Sequence, residues 1–532
     1  MLRRYYKVVK MSQIDKTEKK GLIVIGGGIT GLTSAVTWAR FHDTKKDPVL
    51  IIEKEPKTGG FVTSYTREGY LFDTSQIIPN CNDMFELLGI EIDLKRFKGY
   101  YTRVFLVNPE TEEVTKIELP SGVDVFKKKL MKEYPENAKE IEKFLDHSRA
   151  MFLELFKLKT EPSFIELLKT IVSCPKIVKH GSKTFKNYFD QFGITNPEVV
   201  EIFDAFAAFS GLPGDRAAAL MTLGAMNSVL DNAYRPTKGF IELTKQFEKR
   251  FKELGGEILL KTKVEKILVE NGEVKGVQLE GGEKIYSDFV ITTIDPKVAM
   301  KEMVGLDKIR ELDEKFAEKV DQVKMSPSSF NIALGLDDEI DLAGLGMDCG
   351  YNVVTTGGES FSKLFEEYEK GNMAFTEKQF HMGVICPSLT TGGKQNITIR
   401  VVPVGLGDWV KLRENNLEEY NKKKEELSNF FIDLVEKYLI PDLKKHILVK
   451  DISTPATYAR YSGSPTGSIY GMAPFSDNFG RTRLKMRTPI KGLFQPLFSH
   501  GIFGCMLGAL QVNDMILERK ILGGNARLKP DK

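Results

Sequence analysis

Three glycines stand near the start of the chain with the spacing G-x-G-x-x-G, at Gly26, Gly28 and Gly31. Gly26 permits a tight turn, Gly28 lets the backbone approach a pyrophosphate, and Gly31 lets a helix pack closely against a strand. The N-terminus of that helix would present unpaired N–H groups and the positive end of its dipole to the phosphates. The spacing therefore predicts a dinucleotide-binding turn, with Gly27 and Ile29 as further contacts.

The elements that would position this turn lie on both sides of it. Residues 22–25 (LIVI) form a continuous apolar run, typical of a parallel strand buried on both faces, and residues 32–41 have their apolar side chains on one helical face. A second apolar run, residues 49–52, ends at Glu53, where an acid accepts hydrogen bonds from a ribose 2′-hydroxyl. An acid there favours FAD or NAD and disfavours NADP, whose 2′-phosphate it would repel. We expect Lys54 to lie at the same site.

A Gly-Gly pair, Gly59 and Gly60, follows this acid in the stretch EKEPKTGGFVTSYTREGYLFDTSQ. The stretch resembles the second signature of the FAD-binding amine-oxidase and carotenoid-desaturase superfamily, where glycines let the backbone pass against the extended cofactor. The resemblance implies FAD, whereas a surface turn is the other interpretation of the pair. In the same superfamily a strand like that at Val264 passes the adenine, although an ordinary core valine fits the sequence equally well.

Further stretches resemble the phytoene desaturase, carotenoid isomerase and retinol saturase branch of this superfamily. They are residues 209–216 (FSGLPGDR), 234–239 (YRPTKG), 489–494 (PIKGLF) and 502–511 (IFGCMLGALQ). The resemblance implies that the last strand-to-helix turn aims helix N-terminal amides at the flavin, which places Leu507 among the cofactor contacts. Residues 496–500 (PLFSH) depart from the Gly-Asp usual in the family. His500 is the candidate polar partner there, unless its ring is satisfied by the local backbone.

The fold class that follows is α/β. A chain of 532 residues is too long for one simple core. We predict a Rossmann-like FAD-binding domain, with a parallel sheet, helices and a small β unit, interleaved with an α+β substrate domain. The predicted parts are a disordered basic leader at 1–20, an FAD-binding domain at 21–100, 225–320 and 485–525, and a substrate or membrane-facing domain at 101–224 and 321–484. Residues 101–205 are expected to be largely helical.

Composition argues against several classes of function. A formal net charge of +3 gives no reason to expect a nucleic-acid partner. The five cysteines are scattered, so that we expect neither a disulfide framework nor a zinc site, and a reducing, cytoplasmic location fits them. The six histidines form no H-x-x-x-H pair, and no metal site is expected.

A basic amphipathic segment, residues 151–189, gives an indication of where the substrate is found. Its lysines, interleaved with Phe, Leu and Ile, are Lys157, Lys159, Lys169, Lys176, Lys179, Lys183 and Lys186. Such a segment suits the surface of an anionic membrane, where an apolar lipid substrate would be found. A solvated helix face over a core is the alternative. Because no stretch reaches the roughly 18–20 apolar residues of a membrane span, any membrane contact would be peripheral, on the inner face.

The sequence shows no catalytic triad, no paired carboxylates at an identifiable site and no metal cluster, as expected if a cofactor performs the chemistry. We therefore predict an FAD-dependent oxidoreductase, a desaturase, saturase or isomerase, that positions a C–H or C=C of a long apolar isoprenoid against the flavin. Two alternatives stay open. One is an amine oxidase, although Phe61 stands where that branch usually has Arg, and the other is a flavin-free prenyl-lipid carrier of GDP-dissociation-inhibitor type. The catalytic residues and the electron acceptor are not specified by short motifs.

Overall fold

The computed structural model describes residues 18–97, 99–155, 157–158, 164–404, 409–478, 483–496, 501–518 and 521. The strands, numbered in chain order, are β1 (Leu22–Ile25), β2 (Val49–Ile52), β3 (Ser64–Arg67), β4 (Tyr70–Asp73), β5 (Ile78–Pro79), β6 (Leu94–Arg96), β7 (Tyr100–Val107), β8 (Val114–Pro120), β9 (Ala233–Pro236), β10 (Glu257–Leu259), β11 (Val264–Glu270), β12 (Glu273–Leu279), β13 (Lys284–Tyr286), β14 (Val290–Thr292), β15 (Ser328–Leu336), β16 (Tyr351–Thr355), β17 (His381–Ile385), β18 (Asn396–Val404), β19 (Ile447–Ser453) and β20 (Leu493–Phe494).

The α-helices of the same residues are α1 (Ile29–Phe41), α2 (Asn82–Leu88), α3 (Val123–Glu133), α4 (Ala138–Leu155), α5 (Phe164–Ser173), α6 (Pro175–His180), α7 (Phe185–Phe189), α8 (Pro197–Ala208), α9 (Ala219–Asp231), α10 (Phe240–Glu253), α11 (Leu306–Leu312), α12 (Glu314–Gln322), α13 (Gly358–Glu369), α14 (Ser388–Thr391), α15 (Trp409–Asn415), α16 (Leu417–Tyr438), α17 (Pro455–Ser462) and α18 (Gly501–Leu517). A π-helix occupies Val298–Gly305. None of these helices combines the length and the apolar character needed to cross a bilayer.

A parallel sheet carries the nucleotide motif. Its strand order is β10-β2-β1-β14-β20, and every neighbouring pair is parallel. All residues of β1 and β2 are buried, as their continuous apolar runs predict for a sheet covered on both faces. Helix α1 leaves the end of β1 and packs against α10 and α18. The antiparallel unit β11-β12-β13 lies beside this sheet. Its first hairpin turns at Asn271 and Gly272, and both residues have a positive φ.

A second, mixed sheet forms the other half of the fold, in the order β19-β15-β18-β17-β16-β7-β8. Large apolar side chains alternate with polar or small ones along β15 and along the first part of β18. Phe330, Ile332 and Leu334 on β15 are buried in an apolar core, while the residues between them face the opposite side. Helices α3, α4, α7, α8 and α9 enclose a further core that is rich in phenylalanine. The sequence boundaries of the two domains stay a prediction.

Two expectations differ from the structure. The stretch from residue 101 does not begin with helices, because β7 and β8 form an antiparallel pair before α3, and β7 also pairs with β16 from Tyr351 onwards. The basic leader ends before residue 20. Lys20 is buried, its Nζ lies 2.8 Å from Glu257 Oε2, and its backbone bridges to Ser287, so the segment entering β1 is already part of the fold. The rest of the leader, residues 1–17, lies outside the described residues.

Candidate cofactor and substrate site

The turn between β1 and α1 needs glycine at its first and last motif positions. Gly26 has a φ of 98°, in the left-handed region that favours glycine, and its N–H donates to the Ile52 carbonyl at 2.9 Å. A Cβ on Gly31 would lie 1.9 Å from the Gly26 carbonyl oxygen, which is far inside van der Waals contact. The turn and the close helix packing that the sequence predicts at these two positions are therefore present.

The second glycine pair rests directly on the first motif. Gly59 and Gly28 form a backbone bridge, and the Gly59 N–H donates to the Gly27 carbonyl at 2.8 Å. A Cβ on Gly60 would lie 3.3 Å from Gly28 Cα, whereas a Cβ on Gly28 would meet nothing closer than Gly60 Cα at 4.0 Å. We call the surface formed by Gly28, Gly59 and Gly60 the glycine cradle. It is backbone bare of side chains beside the start of α1.

Glu53 and its neighbours border this cradle. The Glu53 carboxylate is buried and accepts hydrogen bonds from the Gly27 N–H at 2.6 Å and the Glu55 N–H at 2.9 Å. These contacts fix the carboxylate at the end of β2, where a ribose would lie. Lys54 Nζ donates to the Arg460 carbonyl at 2.9 Å, and burial lowers the pKa of Lys54. Val264 is buried at the first position of β11.

A second helix N-terminus points toward the same place. Helix α18 begins at Gly501 and packs along α1, and the Thr30 side chain hydrogen-bonds the Cys505 thiol between them. Burial raises the pKa of Cys505 to about 11, so its sulfur stays a neutral thiol at physiological pH. Because the first N–H groups of a helix have no partner within it, two sets of such donors meet here. His500, the candidate polar partner, lies outside the described residues.

One cavity of about 2560 Å³ connects these features. Most residues of the predicted cofactor set line it, namely Gly26, Gly28, Ile29, Glu53, Lys54, Gly59, Gly60, Val264 and Leu507. Gly27 and Gly31 lie behind the lining, where Gly27 binds the Glu53 carboxylate and Gly31 allows the helix to approach. The volume exceeds the roughly 300–1,000 Å³ of a typical small-molecule site and leaves room for a dinucleotide together with a long second ligand.

The end of the cavity away from the glycine cradle is apolar. Its lining there comes from α4, α5, α6 and α9 and includes Phe152, Leu155, Ile171, Ile177, Val178, Leu220, Met221 and Val229. Phe61, directly after the cradle, has its ring 6.0 Å from that of Tyr458, and Phe209 lies 5.3 Å from Tyr351. The cavity therefore leads from a polar nucleotide end past aromatic side chains to an apolar end.

The sequence did not reveal the polar residues in the middle of the cavity. They are Asp73, Ser329, Asn331, Thr398, Arg400 and Asp451. Most stand on β15, β18 and β19 at the positions between buried apolar residues, so the alternation in SSFNIAL and NITIRV was the available signal. Asp73 is buried at the end of β4, where its Oδ1 accepts from Ser64 Oγ at 2.6 Å, and burial raises its pKa.

Comparison with known proteins identifies the family. The family model for flavin containing amine oxidoreductases matches residues 29–494. The chain belongs to this family. Its α/β fold, its membership of the FAD-binding superfamily and FAD as its cofactor are thereby confirmed as predicted.

Two curated proteins resemble the chain over most of its length. The chloroplastic prolycopene isomerase of Daucus carota is 26% identical over 502 residues, covering 90% of this chain and 76% of its own. The 4,4'-diapolycopene oxygenase of Methylomonas sp is 23% identical over 474 residues, covering 86% and 89%.

Solved structures share the fold. An oxidoreductase of Methanosarcina mazei superposes with a TM-score of 0.60 at 15% identity, covering 93% of this chain and 99% of its own. Wild-type putrescine oxidase superposes with a TM-score of 0.61 at 12% identity, covering 94% and 100%. At such identities the likeness concerns the fold alone.

The residues present fit FAD. A Cβ at Gly28 or Gly60 would occupy the glycine cradle, and the buried Glu53 carboxylate is fixed beside it. The N-terminus of α1 offers N–H donors for the diphosphate and that of α18 offers donors for the flavin. The individual contacts of each residue with the cofactor stay a prediction.

Proposed function

We propose that this chain is an FAD-dependent oxidoreductase acting on a long apolar isoprenoid of carotenoid type. The observation that carries the proposal is the cavity, which runs from the glycine cradle to apolar helices and is large enough for two ligands. The names of the two relatives, a prolycopene isomerase and a diapolycopene oxygenase, support the same substrate class. No observation on the described residues favours an amine oxidase or a flavin-free prenyl carrier.

Each part of the site has a task in this proposal. The glycine cradle and the N-terminus of α1 bind the diphosphate, the N-terminus of α18 faces the flavin, and Glu53 accepts hydrogen bonds from the ribose. Bound FAD supplies the exchange of electrons with a carbon centre, chemistry that no amino-acid side chain provides. Gly60 keeps the backbone beside Gly28 free of a side chain, which leaves room for the cofactor to lie against it.

The apolar end of the cavity positions the substrate and excludes water. A polyene offers no group for acid–base catalysis, so the protein must hold one C–H or C=C at the reacting distance and orientation. Phe152, Leu220 and Met221 line that end, and dispersion contacts along a long chain add up although each is small. Catalysis by such a site comes mainly from alignment.

Visible spectroscopy and product analysis test this function. The purified protein is expected to show flavin absorbance. Anaerobic incubation of the holoenzyme with prolycopene, phytoene or lycopene, with the flavin oxidised or reduced by dithionite, is expected to convert at least one carotenoid, detected by chromatography. Bound flavin without conversion or binding of any polyene would contradict the substrate class and leave the cofactor intact.

A membrane surface is the second part of the proposal. Large apolar side chains are exposed close together at the end of α4 and on α5 and α6, namely Leu153, Ile165, Leu168, Ile171, Val172 and Val178. Val172 is 82% exposed. Lys157, Lys169 and Lys179 are exposed in the same segment, while Lys159 lies outside the described residues. We call this surface the docking face.

The docking face meets the cavity. Ile171 and Val178 belong both to the exposed apolar set and to the lining of the apolar end. An anionic bilayer fits this combination, because the apolar side chains can enter its acyl region while the lysines contact lipid headgroups. A lipid-dissolved substrate would then enter from the bilayer without crossing water.

Liposome sedimentation tests the docking face with matched variants. Val172→Asp is expected to reduce binding to phosphatidylglycerol vesicles about tenfold or more, since a charge replaces an inserted apolar side chain. Leu448→Asp is the control, because Leu448 is also exposed (63%) but lies on β19 and not on the docking face. Equal sedimentation of Val172→Asp and the wild type would refute the docking face.

A further inference from the structure

Arg400 stands in the middle of the cavity with donors that the protein leaves unused. It lies on the cavity side of β18 opposite Asn331 of β15, and one terminal nitrogen donates to the Thr74 carbonyl at 2.9 Å. Its Nε is buried and has no hydrogen-bond partner among the described residues. The guanidinium makes no ion pair within 4.0 Å among the described residues, but it interacts electrostatically with Asp73, where burial raises the pKa and the charge of Arg400 opposes that rise.

Arg235 has a structural role, and its hydrogen bonds differ from those of Arg400. It is fully buried, and its guanidinium donates to the backbone carbonyls of Gln76, Gly350 and Cys386 at 3.0–3.3 Å. These carbonyls tie three segments together and satisfy the cation. Arg400 lacks such a set, which separates it from an arginine whose role is to hold the fold.

Other polar atoms converge on the same part of the cavity. Thr398, two residues before Arg400 on the same strand face, is buried with an unpartnered Oγ1, and Asp73 Oδ2 is buried and unpartnered as well. Burial raises the pKa of Tyr458 to about 12, against the opposing charge of Arg400, so the phenol stays a neutral donor. Burial also raises the pKa of Tyr470 against the same opposing charge.

This polar cluster lies between the two ends of the cavity. Tyr458 contacts Phe61, the residue after the glycine cradle, at a ring distance of 6.0 Å. Tyr470 lines the cavity close to Gly211, beyond Phe209, on the route to α9. A substrate that reaches the cofactor from the apolar end therefore passes Arg400.

We propose that Arg400 binds a carboxylate carried by the substrate, so that the preferred ligand is an isoprenoid acid and not a hydrocarbon. The inference rests on the proposed function and narrows its substrate class. A guanidinium presents donors in a planar fork that matches a carboxylate, and charge-assisted hydrogen bonds of this kind strengthen where water is excluded. A hydrocarbon would offer the Arg400 guanidinium no acceptor beyond the Thr74 carbonyl and the neighbouring Asp73 carboxyl, whereas a substrate carboxylate would supply a charged one.

Binding to the holoenzyme tests the proposal with two ligands that differ by one methyl group. All-trans-retinoic acid and its methyl ester share the polyene, and lycopene serves as the hydrocarbon. Dissociation constants come from the shift of polyene absorbance. We expect the acid to bind about tenfold or more tightly than the ester, and the preference to fall to within about twofold in Arg400→Gln.

Two variants serve as controls. Arg310→Gln removes one positive charge from the surface helix α11 and is expected to keep the preference. Arg400→Lys keeps the positive charge but lacks the planar fork of the guanidinium, and it is expected to keep part of the preference for the acid. An acid and an ester that bind equally, or a preference that survives Arg400→Gln, would overturn the inference.

The failure of this inference can be told from failure of the proposed function. If lycopene and the ester bind but the acid is not preferred, only the role of Arg400 is wrong. If no polyene binds to the flavin-loaded protein, the proposed function fails with it. If Arg400→Gln shifts the flavin midpoint potential and leaves the preference for the acid unchanged, Arg400 serves the cofactor and the inference is overturned.

Discussion

Gly28 and Gly31 lie three residues apart in one turn, but a methyl group added to each would meet different surroundings. At Gly28 the nearest heavy atom would be Gly60 Cα at 4.0 Å, an ordinary contact. At Gly31 the Gly26 carbonyl oxygen would be 1.9 Å away, and it is backbone that cannot move aside freely. Gly28→Ala should therefore affect the ligand, and Gly31→Ala should affect the fold.

The structure sets the size of each effect. Gly28 precedes α1 with a φ of −70°, which alanine adopts without strain. The loss of a glycine N-cap and the reduced entropy of the unfolded chain oppose each other at roughly 0.5–1 kcal/mol each, so the apoprotein should keep its stability. The new methyl group occupies the space where the diphosphate approaches. A packing penalty of about 1–3 kcal/mol weakens FAD binding by roughly 5- to 150-fold.

For Gly31→Ala the added atom must move more than 1 Å to reach the 3.4 Å at which ordinary contact begins. We expect a loss at the upper end of about 1–3 kcal/mol, or beyond it, in the free energy of unfolding. Urea denaturation of both apoproteins measures stability, and flavin fluorescence quenching measures FAD affinity. The reasoning is refuted if Gly28→Ala binds FAD like the wild type, or if it loses as much stability as Gly31→Ala.

Two further predictions concern stability. Arg235→Leu would leave the buried carbonyls of Gly350 and Cys386 and the half-buried carbonyl of Gln76 without this donor, and should lower the free energy of unfolding by about 3–5 kcal/mol, whereas the exposed Arg310→Leu should change it by less than about 0.5 kcal/mol. Burial, aided by the charge of Glu201, raises the pKa of Asp204 from 3.8 to about 7. Between these values the folded state holds a proton that the unfolded state has lost, so stability falls as pH rises from about 4 to 7. Asp204→Asn should flatten that decline, and Asp338→Asn, at an exposed carboxylate that is not among the charges acting on Asp204, should not. An unchanged slope in Asp204→Asn would contradict the assignment.

The nucleotide half of the fold could be predicted from the sequence because its signals are local. The runs that became β1 and β2, the glycines between them and Glu53 fall within about thirty residues, and each has a direct physical meaning. The pair β7 and β8 was missed for the opposite reason. Strand β7 gains its second partner, β16, only some 250 residues later, and no local pattern announces such a contact.

The candidate site likewise has one part that the sequence predicts and another that only the structure shows. Spacing pointed to Gly28, and the family resemblance pointed to Gly59 and Gly60, while the contact between the two parts of the glycine cradle needed the structure. The polar cluster combines Asp73, Arg400 and the nearby pair Tyr458 and Tyr470, which come from three distant stretches of chain. Strand alternation could place Arg400 opposite a buried face, but it could not show that this face borders a cavity.

The most direct test of the account compares FAD with riboflavin, which lacks the diphosphate and the adenosine. Equilibrium titration of the wild-type apoprotein with FAD and with riboflavin isolates the contribution of the diphosphate and adenosine. Since the glycine cradle and the N-terminus of α1 are expected to bind the diphosphate, FAD should bind at least about 100-fold more tightly than riboflavin. Equal affinity for the two, or binding of neither, would contradict the assignment of this site.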